Sequence, residues 1–207
     1  MEDEQRRKFM ETAYEQALKD VAVLNAPVAA AESGASYENG VFTLAFYNRT
    51  FTINHPDAKV EEVGDDAPVP MWISLLLLHY LIHSSGIPAE GHWITYRELP
   101  GATLFEKRFR QMAIQPLLNV YGNDAEGLKK AGESLGGLLM DRTGDAAYRF
   151  LALPKIPVSF ILYLGEDEIP STVNILFDAA APNYLPTEDL SYIGMYLAIA
   201  LIKAKPK

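Results

Sequence analysis

Between Pro70 and Gly86 lies the run MWISLLLLHYLIH, apolar at nearly every position. A helix of this composition has no face to offer water, so it must be buried all round. Pro70 suits the first turn of such a helix, and Gly86 the position just past its end. The apolar stretch 71–82 is shorter than the about 20 residues that span a bilayer. It is therefore expected as the central helix of a water-soluble core, around which the rest of the chain must fold.

The rest of the chain can supply that core. Of 207 residues, 49% are hydrophobic, far above the composition of disordered chains. The length fits a single domain over residues 1–207. Residues 4–24 read as an amphipathic helix, with Phe9, Ala13, Ala17, Val21 and Leu24 on one stripe. Residues 25–40 read as a connection. The β-branched and aromatic stretches 41–46 and 50–54 flank Tyr47, Asn48 and Arg49 and predict a hairpin. Residues 54–69, with Glu61, Glu62, Asp65 and Asp66, read as a long acidic surface loop.

Further along, residues 91–101 predict a short strand and a tight turn. A helix from about Ala102 carries Phe105, Phe109 and Met112, and Pro116 must kink or end it. Residues 124–140 read as another helix, weakened by Gly132, Gly136 and Gly137. Strands are expected at 147–153, 158–164 and 173–177. Thr187 is expected to cap the last helix, with Glu188 and Asp189 complementing its dipole. The predicted class is α+β: an antiparallel sheet packed against a buried central helix and a C-terminal helix.

Charge and composition narrow the function. The formal charge is −9, from 27 acidic and 18 basic side chains. Nucleic acids and anionic membrane surfaces are bound through basic side chains, so both are disfavoured as partners. The absence of cysteine removes thiolate catalysis, iron–sulfur ligation by cysteine, and cysteine zinc sites. The start MEDEQRRKF is polar where a signal peptide would be apolar, which makes the cytoplasm the expected location.

Several constellations could carry chemistry. His79 and His83 share a helix face at four-residue spacing and could approach a metal or a tetrapyrrole. The plainer reading is a core histidine and a helix-end histidine, so no metal is expected. Zinc-protease chemistry is excluded because Tyr80 stands where glutamate is required. Trp93, Tyr96, Arg97 and Glu98 mix aromatic and ionisable groups most densely. Arg97 offers a planar fork for a carboxylate or phosphate, and Glu98 an acid or base. The competing view is an Arg–acid pair that locks a turn. Asp178 follows abruptly on apolar residues, as a cation ligand or a turn cap would. Glu166, Asp167 and Glu168 read as a solvated turn. Lys107, Arg108 and Arg110 form a basic cluster that could meet an anion or simply face solvent.

Two near-matches fail. The spacing of Gly122 and Gly127 is that of a phosphate loop, but Leu128 replaces the required lysine. The stretch 132–136 lacks the serine-centred turn of a hydrolase.

Three stretches, LLLLHYLIHSSGIPAEGHWITYRELPG, SFILYLGEDEIPSTVNILFDAAAPNYL and PTEDLSYIGMYL, resemble the DUF3786 family, a domain of unknown function. The likeness covers roughly residues 10–203. It implies an anaerobic bacterial or archaeal setting, with some relatives joined to iron–sulfur or corrinoid-related modules. It implies no catalytic residues. The leading functional expectation is a binding module for an anionic small molecule or cofactor of unknown identity. Its cleft would combine His79, Trp93, Tyr96, Arg97, Glu98 and Asp178, with the Lys107 and Arg108 helix start nearby. An enzyme using histidine and carboxylates in that cleft is the second expectation. An accessory protein that binds a protein partner through the acidic loop or first helix is the third.

Overall fold

The computed structural model describes residues 2–141 and 143–206. The fold is α+β, with two antiparallel sheets, and the hairpin and the later strands fall in different sheets. The chain divides into two compact units. The first takes the residues up to 88 together with 153–155 and 183–185; the second takes the remainder.

In the first unit, helices α1 (Glu2–Ala22) and α2 (Ala26–Ser33) precede strands β1 (Ser36–Glu38), β2 (Val41–Phe46), β3 (Arg49–Asn54) and β4 (Val60–Glu62). The strands form a four-stranded meander in chain order. The expected connection at 25–40 thus holds a helix, because Asn25 caps α2 by accepting from the Val28 N–H at 3.4 Å, and Pro27 fits its first turn. The expected loop at 54–69 likewise contains β4. Helix α3 (Met71–His83) follows.

Both α1 and α2 pack on α3. The eight α3 residues Ile73–Leu78, Tyr80 and Leu81 are buried. Trp72 is half-buried, its ring edge-on to Phe46. Tyr80 anchors the helix. Its hydroxyl donates to the Ser33 carbonyl at 2.6 Å and accepts from the Lys155 N–H at 3.0 Å, and its ring stacks on Tyr184. Phe9, at the start of α1, is exposed, whereas Ala17 and Val21 are buried.

The second unit contains β5 (Trp93–Thr95), α4 (Glu106–Phe109), α5 (Gln115–Tyr121), α6 (Ala125–Ser134), β6 (Leu138–Leu139), β7 (Ala146–Leu153 less its last residue), β8 (Ile156–Tyr163), β9 (Thr172–Asp178) and α7 (Thr187–Lys203). Its sheet runs β5-β9-β8-β7-β6. Helix α6 stops at Ser134 and does not reach residue 140. Gly136 takes a left-handed φ of 75°, which ends the helix and lets Leu138 and Leu139 pair with β7. Thr187 lies inside α7 rather than capping it. Pro186 holds the cap position, and the Thr187 hydroxyl donates to the Pro100 carbonyl at 2.6 Å.

Candidate functional site

The expected helix from Ala102 is broken into four pieces. A 3-10 turn covers Ala102–Leu104, α4 follows, a π turn covers Arg110–Ile114, and α5 starts at Gln115. Pro116 accounts for the π turn. Proline has no N–H for the carbonyl four residues back, and its ring would strike that carbonyl. A wider turn just before it moves the carbonyl aside, and π turns of this kind recur at functional sites. The helix therefore changes pitch at Arg110 and restarts with Pro116 in the first turn of α5.

That irregular helix, the end of β5 and the first half of β9 line an open cavity of about 600 Å³. Its wall includes Tyr96, Arg97, Glu106, Phe109, Arg110 and the continuous stretch Pro170, Ser171, Thr172, Val173, Asn174 and Ile175. Such a volume lies within the range of small-ligand sites. Tyr96 is 3% exposed, and its ring is stacked on Phe109 with centroids 4.1 Å apart. Its hydroxyl donates to the Thr187 carbonyl at 3.0 Å. Burial raises the Tyr96 phenol well above its ordinary range, so this wall stays neutral.

Arg97 projects into water, its side chain 77% exposed, with Glu106 Oε1 at 3.9 Å from its Nε. A contact that long between exposed groups holds the guanidinium weakly. Arg110 is also exposed and lines the same cavity. The cavity thus presents two guanidinium groups against one carboxylate.

The other expected site residues have different positions. Asp178 is 1% exposed and accepts from three backbone N–H groups: Glu90 at 2.9 Å, Gly91 at 2.8 Å and Ala180 at 2.9 Å. It fastens the segment that leads into β5 and caps the turn after β9, so its oxygens are already engaged. Trp93, half-buried, pairs with Asp178 across the β5–β9 ladder. Glu98 takes the Thr95 N–H at 2.7 Å and the Thr95 hydroxyl at 2.8 Å in a capping box. The Thr95 N–H is the main cause that holds its carboxyl below the usual range. Both carboxylates proposed for acid–base work therefore serve as backbone caps.

His79 belongs to α3 in the first unit and does not line this cavity. It is half-buried, with its ring edge-on to His83 at 5.6 Å. Among the described residues, no three His, Asp or Glu side chains converge as metal ligands. Lys107 and Arg108 do not line the cavity either. Arg108 lies over the Tyr192 ring at 5.8 Å, and Arg110 takes the place expected for them. The helix end expected to add positive potential lies at Glu106, where α4 begins and runs on through the π turn into α5.

A second cavity, of about 660 Å³, lies in the first unit beside the acidic loop. Glu61, Glu62, Asp65 and Asp66 line it with Tyr14 and Lys59. Glu62 is engaged by the Arg49 guanidinium, whose Nε donates to Oε1 at 2.7 Å, and this contact lowers the Glu62 pKa.

The family described as Domain of unknown function (DUF3786) matches residues 25–200. The chain belongs to this family. The DUF3786 match takes in both units and includes every residue named at the second-unit cavity. Neither curated proteins nor solved structures gave a match. Among the described residues, no helix is long and apolar enough to cross a membrane.

Proposed function

We propose that this DUF3786 chain is a binding module for a small anionic molecule, held in the second-unit cavity between Arg97 and Arg110. The observation that carries the reading is the presence of two exposed guanidinium groups on a cavity with aromatic walls at Tyr96 and Phe109. Guanidinium forks match carboxylate and phosphate geometry in two parallel hydrogen bonds. Tyr96 and Phe109, almost fully buried and stacked on each other, give the cavity a rigid base at little entropic cost. The enzyme reading has less support, since Glu98 and Asp178 are committed to backbone N–H groups.

Calorimetric titration with glutarate and with inorganic phosphate tests the proposal. At least one should bind in low salt and lose most of its affinity in an Arg97→Ala, Arg110→Ala double variant that melts like the parent. Undiminished binding by the double variant, or no binding of either anion by the parent, would sink the idea.

A further inference from the structure

The longest wall of the cavity is a strand edge. Strand β9 spans Thr172–Asp178, yet β5 pairs with it only at Leu176, Phe177 and Asp178. After Thr95 the chain leaves the sheet in a 3-10 turn at Tyr96–Glu98. Residues Thr172, Val173, Asn174 and Ile175 pair with β8 on one side, and on the other side no strand among the described residues continues the ladder.

The direction of the exposed edge follows from one hydrogen bond. The Ala179 N–H donates to the His92 carbonyl at 2.8 Å, on the β5 side of the sheet. Along an antiparallel strand the N–H and C=O of every second residue point to the same side. The backbone groups of Phe177, Ile175 and Val173 therefore face the β5 side, and at Val173 that side is the cavity. Their side chains turn into the core, Val173 at 3% and Ile175 at 1% exposure, while Thr172 and Asn174 are exposed. An open edge of this kind recruits another extended backbone, and natural proteins usually blunt or cover it.

Resting on the anion-binding reading, we infer that the ligand is an extended acidic peptide that adds to β9 as a strand where β5 leaves off. The open stretch of four residues, at about 3.3 Å per residue, accommodates a peptide of about four residues. Main-chain pairing with Val173 would supply affinity, and alternate side chains specificity, as in other strand-addition complexes. The charge of the wall selects the occupant. Arg97 and Arg110 stand against the single carboxylate of Glu106, so an acidic peptide is attracted and a basic one repelled.

The test uses a blocked tetrapeptide, acetyl-Glu-Val-Glu-Val-amide, and two analogues N-methylated at alternate amides, one at the glutamates and one at the valines. Glutarate is titrated in parallel. The parent peptide should bind, and one analogue should lose at least about tenfold in affinity while the other binds like the parent, since strand pairing engages alternate amides. Equal binding of all three peptides would overturn strand addition. Glutarate binding without peptide binding would overturn the peptide inference and leave the anion site standing. Failure of both probes would remove the site itself.

Discussion

Tyr96 lies almost flat on Phe109, their ring planes 18° apart, and Gly194 of α7 is the only kind of residue that leaves room behind that pair. A methyl group at Gly194 would stand 2.5 Å from Phe109 Cε2 and 3.3 Å from Phe177 Cζ. An alanine in mid-helix would ordinarily gain up to about 1 kcal/mol over glycine. Here the overlap with a buried ring should dominate. Gly194→Ala is expected to destabilise the protein by about 1–3 kcal/mol, the usual cost of overpacking. It should also shift Phe109 toward the cavity and weaken glutarate binding. Denaturant unfolding beside calorimetry checks both effects, and a stabilised variant with unchanged binding would contradict the close contact.

Arg97 separates ligand binding from folding. Its side chain is exposed and only loosely paired, so Arg97→Lys should leave the melting temperature within about 2 °C of the parent. The same change removes the planar fork and should cost roughly tenfold or more in anion affinity. A large drop in melting temperature would mean that the guanidinium clamps the fold.

Asp178 should behave in the opposite way. Asp178→Asn keeps the shape of the side chain but loses its charge and sets an NH₂ among three N–H donors. The expected loss is about 2–4 kcal/mol, from charge-assisted bonds and unmatched buried donors. Amide exchange at Glu90 and Gly91 should quicken, because both donate to this carboxylate. Unchanged protection at these two amides would show that other contacts hold the segment.

Alkaline pH should find a weak point at Tyr121. Its hydroxyl donates to the Leu201 carbonyl at 2.7 Å. Burial, together with the Asp124 carboxylate, pushes the phenol from 10.0 to about 12. Because the folded state holds this proton more tightly, its contribution is complete below pH 10 and is lost as pH rises from 10 through 12. Tyr148, pushed up to about 12 by burial and by Glu133, acts in the same window. Unfolding free energy measured across that window should fall more steeply in the parent than in Tyr121→Phe. Parallel curves would show that Tyr121 ionises without strain.

The strongest patterns in the chain translated most directly into structure. The all-apolar run gave α3 at Met71–His83, and alternation gave the hairpin at Val41–Phe46 and Arg49–Asn54. Small-residue helices such as α2 lack a stripe and so resemble a connection, although Asn25 and Pro27 are start signals. The two-sheet arrangement was not legible, because alternation marks a strand without naming its partner. At the cavity, Tyr96 and Arg97 stand out by their chemistry, Arg110 only as one member of a basic cluster that could meet an anion, and the β9 stretch not at all. Pro116 was the available clue: a proline inside a helical pattern marks where the helix must widen, and the widened turn carries Arg110. Asp178 and Glu98 show the converse, since a carboxylate's sequence neighbours do not reveal that backbone N–H groups will saturate it.

Tyr80 finds its partners at Ser33, Lys155 and Tyr184, which lie far apart along the chain and yet belong to one unit. A gene cut after residue 88 would therefore separate the first unit from two short loops it depends on, 153–155 and 183–185. The second unit, in turn, is interrupted by those same loops. Neither half can be shuffled as a cassette into another protein, and a fusion that keeps the fold must carry both together.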